Sequence, residues 1–190
     1  GILYMCTPWD SSSVDTLEKF KVPAYKVASA DLTNLPLIDR LVTTKKPLIL
    51  STGMSTESEI QVTVDFLNKR GANYVLLHCN STYPAPFHDI NLNWIKRLQE
   101  IHPLVGYSGH ERGTAVTLAA VSLGSVVVER HFTFDRNMEG PDHAASLEPA
   151  EFKSLVCGIR EIEEALGDGV ERKVSQGEMI NRENLAKSIV

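Results

Sequence analysis

LVGYSGHERGTAVTLAAVSLGSVVVERH, residues Leu104 to His131, is the stretch that decides the fold. It opens on a short apolar run, Leu104 to Tyr107, passes the polar residues Ser108 and His110, and runs apolar again from Thr114 to Leu123. Gly124 stops that second run, and Ser125 to Val128 then leads into Glu129 and His131. A short β-rich run bounded by polar residues reads as a strand buried on both faces, and the longer run between two of them reads as a helix. Strand, helix and strand, with polar residues gathered where each strand ends, make the repeating unit of an α/β fold.

The same unit recurs on either side. Six apolar runs read as strands: Ile2 to Cys6, Ala24 to Ala28, Pro47 to Leu50, Tyr74 to Cys79, Leu104 to Tyr107 and Ser125 to Val128. Helical signals lie between them. Ser12 and Asp15 begin a turn ahead of Val14, Leu17 and Phe20, and Asn34 precedes Leu35, Leu37, Ile38 and Leu41. Thr56 and Glu59 form a capping-box pattern ahead of Ile60, Val64 and Leu67, with Gly71 as a stop. Leu92, Ile95 and Leu98 mark a further helix. Pro149 opens the last one, in which Phe152, Leu155, Val156, Ile159, Ile162 and Leu166 follow helical spacing up to Gly167.

Two architectures alternate in this way. A doubly wound sheet that binds a nucleotide carries a Gly-rich loop, and neither GxGxxG nor GxxxxGK[ST] is present. Instead a polar cluster ends nearly every strand: Thr7, Lys26 with Ser29, Ser51 with Thr52, His78 with Ser81, Ser108 with His110, and Glu129 with His131. A TIM (β/α)8 barrel builds its active site from such strand ends, so the rim favours the barrel. Six units do not close eight strands, and a whole barrel takes about 250 residues. The expectation is a partial barrel, strands three to eight.

Composition excludes several function classes. Of 190 residues, 43% are hydrophobic and 23% charged, as in an ordinary globular domain. A net charge of −5 argues against a nucleic-acid partner, and the apolar runs are too short to span a membrane. Cys6, Cys79 and Cys157 are odd in number and include no CxxC pair. They point away from a disulfide framework and toward a reducing, cytoplasmic setting.

At the rim, His110 and His131 end neighbouring strands. Two neutral imidazoles suit a divalent transition metal; two hydrogen-bonded rim histidines are the alternative. Lys26 interrupts an apolar strand and must meet an anion or a carboxylate, because an unpaired buried ammonium is costly. With Thr7, Ser29, Ser51 and Ser108 it makes a phosphate cradle; a core salt bridge with helix-capping serines accounts for the same residues. Asp31, Glu129, Asp135, Glu139 and Asp142 are acid-base candidates, and the loop Gly140-Pro141-Asp142-His143 singles out Asp142.

Taken in order, these segments resemble the sialic acid synthase family, which includes the N-acetylneuraminate, legionaminate and pseudaminate synthases and spore-coat polysaccharide proteins. The resemblance rests on Tyr25-Lys26-Val27-Ala28-Ser29-Ala30-Asp31, Leu50-Ser51-Thr52-Gly53-Met54, Leu77-His78-Cys79 with Tyr83-Pro84, and Gly106-Tyr107-Ser108-Gly109-His110. It continues through Glu129-Arg130-His131-Phe132-Thr133, Gly140-Pro141-Asp142-His143 and Ala145-Ser146-Leu147-Glu148-Pro149. It implies a TIM-barrel transferase that condenses phosphoenolpyruvate with an N-acylated hexosamine resembling N-acetylmannosamine, and with water, to give a nonulosonic acid and phosphate. It places Thr7, Lys26, Ser29, Ser51 and Ser108 on phosphoenolpyruvate, and Tyr83 and Asp142 toward the sugar. Asp31 and Ser81 stand on substrate-facing positions where the family often has Glu and Asn, which implies a different amino sugar or pose. Lys26, Tyr83 and Asp142 are the catalytic candidates.

The resemblance further implies that His110 and His131 hold a divalent ion, Mn2+ with Mg2+ or Co2+ as alternatives, and that the protein is a homodimer. It implies two barrel strands ahead of Gly1 and an antifreeze-like domain after Val190. Residues 1–170 are then the partial barrel, 171–190 a linker, and residues 1–190 alone inactive. Two rivals remain: another phosphoenolpyruvate-aldehyde condensing enzyme, and a noncatalytic sugar-binding barrel in polysaccharide biosynthesis.

Overall fold

The computed structural model describes residues 1–187; Ser188, which ends the tail motif Asn184-Leu185-Ala186-Lys187-Ser188, lies with 189 and 190 outside the described residues. Five strands make one parallel sheet: β1 (Tyr25–Val27), β2 (Leu48–Ser51), β3 (Tyr74–Cys79), β4 (Val105–Gly109) and β5 (Val128–Arg130). Spatial order follows chain order, β1-β2-β3-β4-β5. Helix α1 (Ser11–Lys19) precedes β1, and α2 (Leu35–Val42) and α3 (Glu57–Lys69) make the next two crossovers. Helices α4 (Phe87–Ile90) and α5 (Trp94–Ile101) join β3 to β4, α6 (Ala115–Ser122) joins β4 to β5, and α7 (Pro149–Leu166) and α8 (Gln176–Leu185) follow.

A sheet whose every crossover steps to the next neighbour in one direction curls toward closure, whereas a doubly wound sheet reverses direction at a switch point. The result is a parallel half-barrel with helices outside, the partial TIM barrel expected. Between sheet and helices lies one core. Val14, Ile38, Leu41, Ile60, Leu67 and Ile95 pack from the helices against Tyr25, Leu48, Leu50, Leu76 and Tyr107.

Local chemistry sets the helix ends. The Thr56–Glu59 capping box is formed in both directions at the start of α3. Asn34 accepts from the Leu37 amide at the start of α2, and Pro149 occupies the first turn of α7. Asp10, rather than Ser12, caps α1 by accepting from the Ser13 amide. Gly167 ends α7 at φ 58°, a left-handed angle that glycine adopts without a Cβ penalty. In the tail, α8 carries a Ser175–Glu178 capping box and buries none of its residues.

Two expected strands differ. Ile2 to Cys6 forms no ladder: a single parallel bridge joins Cys6 to Tyr25, while Ile2, Leu3, Tyr4 and Met5 are exposed. A β-rich run becomes a strand only where a face or a partner buries it, and this one has a neighbour at one residue. The last strand is also displaced, from Ser125–Val128 to Val128–Arg130. Backbone pairing to β4 begins at Val126, whose amide donates to the Val105 carbonyl at 2.9 Å. It continues past the apolar residues because Glu129 and Arg130 both find partners. Beyond β5, Phe132 makes one parallel bridge to Leu147.

Leu76 is fully buried at the centre of β3. Leu76→Ala is expected to cost about 2–5 kcal/mol, read as a lower urea midpoint at unchanged m-value.

Candidate active site

The ladder register brings the C-terminal strand ends to one level. Ser51 pairs with Leu77, Cys79 with Ser108, and Ser108 with Glu129. Parallel strands show the same end to the same side, so side chains far apart in sequence line one cavity of 480 Å³. Lys26, Ser29, Ser51 and Ser81 lie on its wall with Cys79 and Ser108. Thr7, Tyr83, His110, Glu129 and His131 complete the rim.

Lys26 is held from two directions. Its Nζ donates to the Val27 carbonyl at 2.8 Å and stands 3.8 Å from Glu129 Oε2. Burial lowers the lysine pKa, and the Glu129 carboxylate opposes that shift. Glu129 also accepts from Ser108 Oγ at 2.8 Å, so one carboxylate orients both a cation and a hydroxyl. Ser29 Oγ accepts from the Gly53 amide at 3.1 Å. Ser51 Oγ and Ser81 Oγ are buried with no hydrogen-bond partner. Two unmatched hydroxyls beside a lysine, in a cavity, form a donor set suited to an anion.

The imidazoles line the same cavity, with Cys79 Sγ between them and the serines, 3.7 Å from Ser29 Oγ and 3.8 Å from His110 Nδ1. The rings of His110 and His131 are 5.1 Å apart between centroids, at 70°. Tyr83 stacks on His110 at 4.1 Å and meets His131 edge-on at 5.4 Å. His110 Nδ1 lies 2.6 Å from the Asn80 carbonyl, which only accepts. The proton therefore sits on Nδ1, and Nε2 keeps the ring's lone pair, the tautomer that a metal-binding histidine needs. Burial, the largest effect, lowers the His110 pKa and favours that neutral ring. Among the described residues no group of three His, Cys, Asp or Glu side chains is close enough to hold an ion unaided. Two imidazole nitrogens fit a divalent ion whose remaining positions are left open to water or substrate.

The model of the NeuB family matches residues 1–171. The chain belongs to the NeuB family. The N,N'-diacetyllegionaminic acid synthase of Campylobacter jejuni is 46% identical over 194 residues, which cover 100% of this chain and 58% of that protein. Human N-acetylneuraminate-9-phosphate synthase is 37% identical over 192 residues, covering 100% of this chain and 53% of that protein. The chain thus spans about half the length of these relatives. The crystal structure of N-acetylneuraminic acid synthetase from Leptospira borgpetersenii, in complex with citrate, superposes with a TM-score of 0.89 at 35% identity. That likeness covers 97% of this chain and 65% of the other.

Within this NeuB half-barrel, nine of the expected site residues line the cavity: Thr7, Lys26, Ser29, Ser51 and Ser81, with Tyr83, Ser108, His110 and His131. Asp31 and Asp142 do not. Asp31 ends a short 3-10 turn after Ser29, and its Oδ1 accepts from Asn34 Nδ2, the residue that caps α2. Asp142 begins a second such turn in the loop after β5, with its Oδ2 3.8 Å from His131 Nδ1. Of the alternative reading of Lys26, the salt bridge is present, to Glu129 at 3.8 Å, while the helix after Ser51 is capped by Thr56 rather than by a rim serine. Glu129, one of five acid-base candidates in the sequence, turns out to be the carboxylate that joins Lys26 to Ser108. Part of the signal was present: a lysine within an apolar strand requires a partner, and Glu129 is a carboxylate at the end of another apolar run, on the opposite edge of the sheet, which only the curl of the half-barrel brings near. Cys79 had no such signal.

Gly53 is tightly enclosed: a Cβ there would overlap Ser81 Oγ and approach Ser29 Oγ to 2.8 Å. Gly53→Ala is expected to displace both hydroxyls and weaken binding of inorganic phosphate at least threefold with an unchanged circular dichroism spectrum. Unaltered affinity in calorimetric titration would remove these serines from the anion site.

Proposed function

We propose that the protein condenses phosphoenolpyruvate with an N-acylated hexosamine and water, releasing phosphate and a nonulosonic acid. The observation that carries this reading is the single cavity that holds Lys26 and the unpartnered hydroxyls of Ser51 and Ser81 together with a pair of imidazoles. Family membership supports it, because relatives are named as synthases of legionaminic and N-acetylneuraminic acid derivatives.

In this reading Lys26 and the hydroxyls of Ser51, Ser81 and Ser108 bind the phosphate and carboxylate of phosphoenolpyruvate. They hold its C3 toward the imidazoles. Glu129 fixes the direction of the ammonium and of the Ser108 hydroxyl, which lowers the ordering cost on binding. Tyr83, stacked on His110, offers a flat wall to the sugar, and Asp142, beside His131, stands where a sugar hydroxyl approaches. His110 and His131 hold a divalent ion, Mn2+ in the first instance, with Mg2+ or Co2+ as alternatives. When bound, that ion supplies Lewis acidity toward an aldehyde oxygen. The carbon-carbon bond forms between C3 of phosphoenolpyruvate and C1 of the open-chain sugar. The C1=O π bond becomes a hydroxyl by taking one proton of the water that adds at C2, and the C2–O bond to phosphate then breaks, leaving a C2 ketone and phosphate that carries off the other proton.

A homodimer and a cytoplasmic location complete the proposal. The three cysteines are free thiols, which suits a reducing compartment, and among the described residues no helix is long and apolar enough to cross a membrane.

The test is phosphate release by the intact gene product from phosphoenolpyruvate, with a panel of N-acylated hexosamines, with and without Mn(II). Sugar-dependent release that His131→Ala abolishes is expected; release from no member of the panel would overturn the proposal. Lys26→Ala removes a charge-assisted contact worth about 1.5–3 kcal/mol, a loss of roughly 10- to 150-fold in phosphoenolpyruvate affinity. Affinity equal to that of the parent protein would take Lys26 out of the cradle.

A further inference from the structure

On the helix side of the sheet, meeting the cavity at Arg130, lies a second cluster that the proposed chemistry does not use. Arg130 and Glu111 form an ion pair at 2.8 Å with both side chains fully buried. Arg130 Nη1 donates to Glu111 Oε1 at 2.8 Å, to the Gly113 carbonyl at 2.8 Å and to Thr117 Oγ1 at 2.7 Å. Its Nη2 donates to the Glu111 backbone carbonyl at 2.6 Å. Glu111 in turn accepts from the Tyr107 hydroxyl at 2.8 Å and from Thr117 Oγ1 at 3.0 Å. Gly109 makes the room: a Cβ there would come within 2.8 Å of Glu111 Oε2 and 3.0 Å of Arg130 Cδ.

The chain position of this pair is what gives it a role. Glu111 directly follows His110, and Arg130 directly precedes His131. The β4–β5 ladder ends at the pair Gly109 and Arg130. The two histidines therefore stand one residue beyond the last β4–β5 pairing, and their carbonyls bond outside that ladder, His110 accepting from the Ala85 amide at 3.0 Å and His131 from the Leu147 amide at 2.9 Å. A buried ion pair is a weak source of stability, since well-packed apolar side chains of similar volume do as well. What apolar side chains do not supply is direction: the planar guanidinium ties the backbone carbonyl after one histidine to the residue before the other.

We propose that the Arg130–Glu111 pair is a positioning clamp that sets the separation of the His110 and His131 imidazoles, and thereby the affinity of the site for a divalent ion. The inference rests on the reading that these two histidines share such an ion. Arg130 and Glu111 touch neither substrate nor ion; they act through the histidines beside them.

The test is equilibrium binding of Mn(II) to the intact gene product without substrates, followed by the electron paramagnetic resonance of free Mn(II). The variants are His110→Ala, the double replacement Arg130→Met with Glu111→Leu, and Thr117→Val, which keeps the shape of Thr117 and removes the hydroxyl that contacts both clamp residues. The expected result is loss of binding in His110→Ala, at least a tenfold weaker dissociation constant in the double variant, and a severalfold weakening in Thr117→Val. Circular dichroism and urea midpoints identify which variants fold as the parent does. Parent affinity in the folded double variant, with His110→Ala impaired, overturns the clamp and leaves the metal reading standing. If the double variant does not fold, parent affinity in Thr117→Val has the same meaning. Mn(II) binding indifferent to His110→Ala overturns the metal reading, and the clamp with it.

Discussion

Parallel register is the constraint on which the remaining geometry depends. Ser51 beside Leu77, Cys79 beside Ser108 and Ser108 beside Glu129 are pairings along hydrogen-bonded ladders, and each sets where a polar side chain emerges. Side chains alternate faces along a strand, so a slip of one residue in β5 would send Glu129 toward the helices and Arg130 into the cavity. The lysine would lose its carboxylate and the buried Glu111 its cation. The helix-facing residues Leu48, Leu50, Leu76 and Tyr107 hold the register of β2, β3 and β4 from the other side, because a one-residue slip of any of these strands would drive its own out of the core. Core packing and site assembly are in this way two readings of one alignment.

Charge is distributed unevenly across the sheet. On the cavity side, Lys26 and Glu129 remain partly open, with side-chain exposures of 14% and 39%. On the helix side, Arg130 and Glu111 are closed off completely and keep to each other. Adjacent residues of one strand, Glu129 and Arg130, serve the two situations.

Much of this was legible in the sequence where a local rule acts alone. Thr56 with Glu59, Asn34 and Pro149 mark helix starts because a capping bond or a fixed φ needs no distant partner. The run Tyr74 to Cys79 is a strand at the boundaries its composition implies. Legibility failed where tertiary surroundings override composition. Ile2 to Met5 has the residues of a strand and lacks a surface to bury them. The apolar run ends at Val128, yet pairing continues through two charged residues that are matched inside the fold. Eight of the nine cavity residues follow from the rule that strand ends of a barrel converge, and Tyr83 only from the family resemblance; the rule does not say where the turns beyond the strands lead. Asp31, inside a 3-10 turn, is accordingly the residue it misplaces, and Asp142 sits in a loop whose path no periodicity describes.

The hydroxyls of Ser51 and Ser81 have one more consequence. Each is a buried polar atom without a protein partner, and such an atom costs stability unless a water or a ligand meets it. Alanine at either position would relieve that cost, so these serines run against the thermodynamic interest of the empty fold. Drift governed by robustness alone would erase them early, while the half-barrel around them stayed intact. A water or an anion that meets both hydroxyls restores what their burial removes.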